Sequence, residues 1–119
     1  MAKKILIIDD EPDIALSLGD RLKLEGYEVV TAEDAKSGIE QIEKENPDIV
    51  VLDIMLPDRD GFDVCNSIKN DREIDVKVIM TTGKIDAVDA VKAREAGADE
   101  FTVKTPDYAG LVEAIRQFV

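Results

Sequence analysis

Residues 50–62, VVLDIMLPDRDGF, run Val50, Val51 and Leu52, preceded by Ile49, into a carboxylate at Asp53, then into a loop with further acids. An apolar run without polar alternation reads as a strand covered on both faces, as in a parallel sheet layered by helices. The charged end of such a strand needs partners from elsewhere in the chain. KILII at 4–8 has the same character and also ends in acids, Asp9 and Asp10.

Strand-like and helix-like runs alternate outward from these two segments, separated by short connections rich in Gly, Pro, Asn and Asp. From Pro12, the residues Ile14, Leu18 and Leu22 recur at helical spacing, with Pro12 suited to a first turn and Gly26 to the end. YEVVTA is a weaker second strand expected at an edge. Ala35, Ile39 and Ile42 mark a second helix that stops near Asn46 and Pro47, and DIVVLD is the third strand. Phe62, Val64, Cys65 and Ile68 predict a third helix, VKVIMT a fourth strand, Ala87 to Ala96 a fourth helix, FTV a short fifth strand, and Leu111, Val112, Ile115 and Phe118 a last helix. Strict alternation predicts an α/β fold: a doubly wound five-stranded parallel sheet of flavodoxin-like order 2-1-3-4-5 with five flanking helices. Residues 1–119 are read as a single domain.

Composition narrows the function. The 27 acids and 15 bases give a net charge of −12, which disfavours direct binding to nucleic acid or anionic lipid. No apolar run is long enough to insert in a membrane, and the acids from Asp9 to Glu11 interrupt MAKKILII too early for a signal peptide. Cys65 is the only cysteine, which excludes an intrachain disulfide and suits a reducing, cytoplasmic setting. Histidine is absent, excluding His-based metal sites, Ser-His-Asp and Cys-His catalysis, and an internal phosphohistidine.

In a sheet of this order, ligands sit beyond the C-terminal strand ends, at the switch point between strands 1 and 3. Asp9, Asp10 and Asp53 all belong there. With strands about 4.8 Å apart they converge, and each pair of charges at about 4 Å costs on the order of 4 kcal/mol at an effective dielectric of 20. A proton, a divalent cation or the ammonium of Lys104 can offset that cost; an all-oxygen site favours Mg2+ over zinc. Lys104 ends strand 5, roughly 10 Å from strand 3 by strand spacing, a gap that a lysine side chain can largely cross. Thr82, ending strand 4 between them, adds a hydroxyl. One aspartate ahead of Pro12 would read as a helix cap; two in tandem facing Asp53 read as a metal site.

Asp9-Asp10, Asp53 in DIMLPDRDG, Thr82 in VIMTTG and Lys104 in GADEFTVK together resemble the CheY-like receiver domain of two-component response regulators, over essentially the full chain. The resemblance implies that Asp53 accepts a phosphoryl group and that Asp9, Asp10 and Asp53, with the backbone carbonyl of Met55, hold Mg2+. It implies that Lys104 contacts the phosphoryl group, that Thr82 swings toward it, and that Phe101 is an aromatic rotamer switch. It also implies a phosphohistidine donor on a sensor histidine kinase or phosphotransfer protein, and a downstream effector domain or protein that reads the helix 4, strand 5, helix 5 surface. Such a protein catalyses its own phosphorylation and dephosphorylation without turning over an external substrate.

Other readings fit less well. A flavin-binding module needs a phosphate-cradling loop after strand 1, where DDEPD stands. A phosphatase with an aspartate nucleophile needs a cap or substrate pocket for which 119 residues leave no room. A receiver-like scaffold working without phosphorylation is the remaining alternative. One departure from the family is plain: the lysine is usually followed by a proline in a cis bond, but here the order is Lys104, Thr105, Pro106. A cis bond before a residue other than proline costs about 3–4 kcal/mol, so Lys104–Thr105 is expected trans, with Pro106 fixing the backbone, Asp107 capping the last helix, and Lys104 still reaching the site.

Overall fold

The computed structural model of the protein describes residues 3–83 and 87–119; Met1 and Ala2, the head of the basic-then-apolar start, lie outside them. The elements are β1 (Lys4–Ile8), α1 (Pro12–Leu24), β2 (Glu28–Ala32), α2 (Ala35–Glu45), β3 (Ile49–Asp53), α3 (Gly61–Asn66), β4 (Lys77–Thr82), α4 (Ala87–Glu95), β5 (Glu100–Val103) and α5 (Ala109–Arg116). Among the described residues the strands form one parallel sheet of order β2-β1-β3-β4-β5, as the alternation predicts.

Side chains alternate across the pleat and so build two cores. Leu6, Ile8, Val50, Leu52, Val78 and Met80 pack with Ala35 and Ile42 of α2, Val64 and Cys65 of α3, and Ala93 of α4. Ile5, Ile7, Ile49, Val51 and Ile79 face Leu18 and Leu22 of α1 and Leu111, Val112 and Ile115 of α5. The central strand β3 is buried at every residue, which explains its unbroken apolar character.

Local chemistry sets the element ends. Pro12, which has no N–H to leave unpaired, opens α1, and Gly26 follows that helix at φ 96°, a conformation that glycine adopts freely. Asp34 and Ser37 form a capping box at the start of α2, and Asn46 closes that helix in the left-handed region. The third helix differs from the expected single run. After Asn66 it widens into a π-helical turn over Ser67–Asp71, where the Arg72 amide donates to the Ser67 carbonyl at 2.8 Å. That turn keeps Ile68 buried while the Lys69 ammonium reaches Asp99 Oδ2 at 2.9 Å and the Val76 carbonyl at 2.8 Å.

Register places the acids. Ile8 pairs with Leu52, so Asp9 and Asp53 follow one step later on neighbouring strands; Asp53 itself pairs with Thr81, and Thr82 with Val103, the residue before Lys104. No peptide bond among the described residues is cis, so Lys104–Thr105 is trans. The chain turns through Thr105–Tyr108 instead: the Tyr108 amide donates to the Thr105 carbonyl, and Asp107 Oδ1 accepts from the Thr105 hydroxyl at 2.8 Å and the Ala109 amide at 3.1 Å. The N-cap of α5 is Tyr108, left-handed at φ 54° and without a side-chain cap, so Asp107 serves the first amide of the helix from one position outside rather than as the cap expected from the sequence.

Candidate functional site

Asp9 and Asp53 are acids buried among the described residues, with 4% and 7% of their surfaces exposed. Between them lies the ammonium of Lys104, 2.7 Å from Asp9 Oδ2 and 3.3 Å from Asp53 Oδ2. The lysine therefore crosses the span of β4, as strand spacing allowed. The other oxygen of Asp9 accepts the Glu11 amide at 2.9 Å. Glu11 is the N-cap of α1 and makes no side-chain cap, so Asp9 orders the turn into the helix while its second oxygen serves the site.

The electrostatics are unbalanced. Burial, with the Asp9 carboxylate adding to it, pushes Asp53 up from the usual 3.8 to about 6, although the Lys104 ammonium and the Met55 amide pull the other way. Burial works to lower Lys104, but its hydrogen bond to Asp9 and the charge of Asp53 outweigh it, so the ammonium is held above its ordinary range. One cation faces several anions.

Asp9, Asp10, Glu11 and Asp53 each present an oxygen, all within 4.8 Å of one another. This donor set, oxygen throughout and rich in charge, suits a hard divalent cation. Sequence reasoning found three of the four and missed Glu11; its signal was a third acid directly behind the tandem pair. Met55, whose carbonyl was also a candidate ligand, lies just past β3, bridged antiparallel to Asp60 and 78% exposed as a residue. Gly61 closes this loop, its amide donating to the Ile54 carbonyl at 2.7 Å; a Cβ there would run into the Asp53 carbonyl oxygen and come 2.7 Å from Ile54 Cα.

Thr82 stands half-buried at the end of β4, its carbonyl accepting the Lys104 amide at 2.7 Å. Its neighbour Thr81 is the buried one, with its hydroxyl directed at the Leu52 carbonyl at 3.5 Å. Phe101 pairs with Met80 in register and is half-buried against the core beneath α4. Structure thus brings Asp9, Asp10, Asp53 and Lys104 together, with Thr82 on the same edge and Phe101 in the adjoining core.

Residues 5–116 match the family described as the response regulator receiver domain. The chain belongs to that family. Among solved structures, this receiver domain is similar to a CheY-like receiver domain protein from Methanospirillum hungatei JF-1, at 35% identity over 98% of this chain and 93% of that one, with a TM-score of 0.88. It is similar to response regulator protein TrrA from Thermotoga maritima, solved in complex with Mg(2+)-BeF, at 33% identity over 98% and 99% of the two chains and a TM-score of 0.88. A third is DrrB, an OmpR/PhoB homolog from Thermotoga maritima, at 30% identity and a TM-score of 0.87; the match covers 99% of this receiver domain but 52% of that chain.

Proposed function

We propose that this receiver domain, acting as one unit over residues 1–119, accepts a phosphoryl group on Asp53 from a phosphohistidine. The observation that carries the reading is the Lys104 ammonium held within 3.3 Å of Asp53 and 2.7 Å of Asp9 at the C-terminal edge of the sheet. A carboxylate oxygen of Asp53 bonds to phosphorus as the phosphorus–nitrogen bond of the donor breaks. The bonding pair leaves on the imidazole, which takes up a proton. Asp53 must be ionised to attack, and with a pKa of about 6 it is mostly ionised at neutral pH. Lys104 steadies charge on the transferring oxygens, so positioning supplies most of the catalysis. Mg2+, which Asp9, Asp10 and Asp53 with the Met55 carbonyl would hold, would supply further positive charge there.

Phosphorylation adds roughly two negative charges and three acceptor oxygens. The Lys104 ammonium and the Thr82 hydroxyl turn to those oxygens, Phe101 follows into the space beside β4, and the α4–β5–α5 surface changes for a downstream effector domain or protein. The DrrB chain, about twice the length of the match, supports an effector partner of this kind. Because histidine is absent from these residues, the donor lies outside them, on a sensor histidine kinase or phosphotransfer protein met in the cytoplasm. Water later attacks phosphorus and returns the Asp53 carboxylate and inorganic phosphate, without turnover of any external substrate.

The test is incubation with Mg2+ and acetyl phosphate followed by intact-mass measurement. Addition of one phosphoryl group to the parent chain and none to Asp53→Asn supports the reading; equal labelling of both overturns it.

A further inference from the structure

The loop between β3 and α3 is held at its base by the Gly61 amide on the Ile54 carbonyl and by the Met55–Asp60 bridge. Ile54 and Leu56 rest half-buried on the core, and Asp60 accepts the Phe62 amide at 2.7 Å to start α3. Asp58, at the exposed tip, does something different. Its Oδ1 accepts the Ala35 amide at 2.8 Å and its Oδ2 the Lys36 amide at 3.1 Å, so both oxygens are spent on α2, more than twenty residues earlier. Those two N–H groups have no partner within the helix, and the next, on Ser37, is taken by Asp34 at 2.8 Å. The Ala35 amide above all, with the Lys36 amide, holds the Asp58 carboxyl below its usual range.

A cap borrowed from a distant loop fixes two things at once: the start of α2 and the position of the loop. The second matters because the same loop carries Met55, two residues past Asp53, whose backbone bridge is to Asp60 of the same loop and whose side chain is too exposed to anchor it. We infer that Asp58 is a positioning residue for the cation site, clipping the loop tip to α2 and so setting where the Met55 backbone faces Asp9, Asp10 and Asp53, without itself touching the ion. This rests on the reading that the acids hold Mg2+.

The experiment compares the parent chain with D58A, D58N and D34A, titrating each with Mg2+ alone and following backbone amide NMR shifts. Amide hydrogen exchange at Ala35 and Lys36 is measured on the metal-free proteins. D58A should bind Mg2+ about tenfold more weakly, in the range seen when outer partners of metal ligands are removed. D58N keeps one acceptor oxygen and should lie between. D34A, which loses the Ser37 cap but leaves the loop tether, should bind Mg2+ like the parent. Faster exchange at Ala35 and Lys36 in D58A with unchanged Mg2+ affinity would make Asp58 a helix cap only and overturn the inference. An equal loss in D34A would also overturn it, since the effect would belong to α2. Parent protein that fails to bind Mg2+ defeats the functional reading itself, a result seen without any variant.

Discussion

Replacing Asp53 with Asn should make the metal-free protein more stable, although it removes one partner of Lys104. The carboxyl of Asp53 is raised from 3.8 to about 6, chiefly by burial and despite the lysine. At about 1.4 kcal/mol per pKa unit, that interval corresponds to about 3 kcal/mol of strain in the ionised folded state. The sign follows from proton counting. Below pH 4 both folded and unfolded chains carry the proton, so parent and variant should be nearly equal. Between about pH 4 and 6 the unfolded chain has released its proton while the folded chain keeps it, and the parent loses stability as pH rises. Above the folded pKa the full difference is present. Asparagine keeps the shape and removes the charge, and Lys104 retains Asp9 at 2.7 Å. Urea unfolding in EDTA at pH 7.5 should therefore favour Asp53→Asn by up to about 3 kcal/mol, or about 10 °C in Tm. At pH 4 the gap should close. A variant less stable than the parent at pH 7.5, or a gap independent of pH, would refute the electrostatic reasoning.

Lys104→Met should have the opposite effect. It leaves two buried carboxylates facing each other, and unfolding at pH 7.5 should show a loss of about 3–5 kcal/mol that shrinks as pH falls and Asp53 takes up a proton. Gly61→Ala places a methyl group against the backbone of Asp53 and Ile54, neither of which can turn aside, and should cost at least about 2 kcal/mol by urea titration. Cys65 is fully buried, with burial pushing its thiol up to about 11, so a chromogenic disulfide reagent at pH 8 should label it only at the rate of unfolding. Rapid labelling of native protein would contradict that burial.

The sheet was legible because unbroken apolar runs such as KILII and IVVL have one common use in a chain of this size, and the acids that end them marked the candidate functional edge. Strand order brings these ends side by side, and register completes the site: Ile8 beside Leu52 makes Asp9 and Asp53 neighbours. What escaped depends on contacts between distant segments. Ser67–Asp71 carries an ordinary helical pattern, and its π turn is visible only once Lys69 is seen to reach Asp99 and Val76. Asp58 looks like a solvated loop acid in PDRDG, and its bidentate hold on α2 has no mark in local sequence. Glu11 was passed over because an exposed acid beside a helix start is commonplace; only the fold shows its oxygen within 4.8 Å of the others.

The central claim is that Asp53, among all the acids crowded at this edge, forms the bond to phosphorus. Its most direct test is to treat the protein with Mg2+ and acetyl phosphate, reduce the acyl phosphate with borohydride, and locate the resulting homoserine by peptide mass spectrometry. Homoserine at position 53 alone is the predicted result. Homoserine at Asp9, Asp10 or Asp60, or none anywhere in a chain that binds Mg2+, would contradict the account.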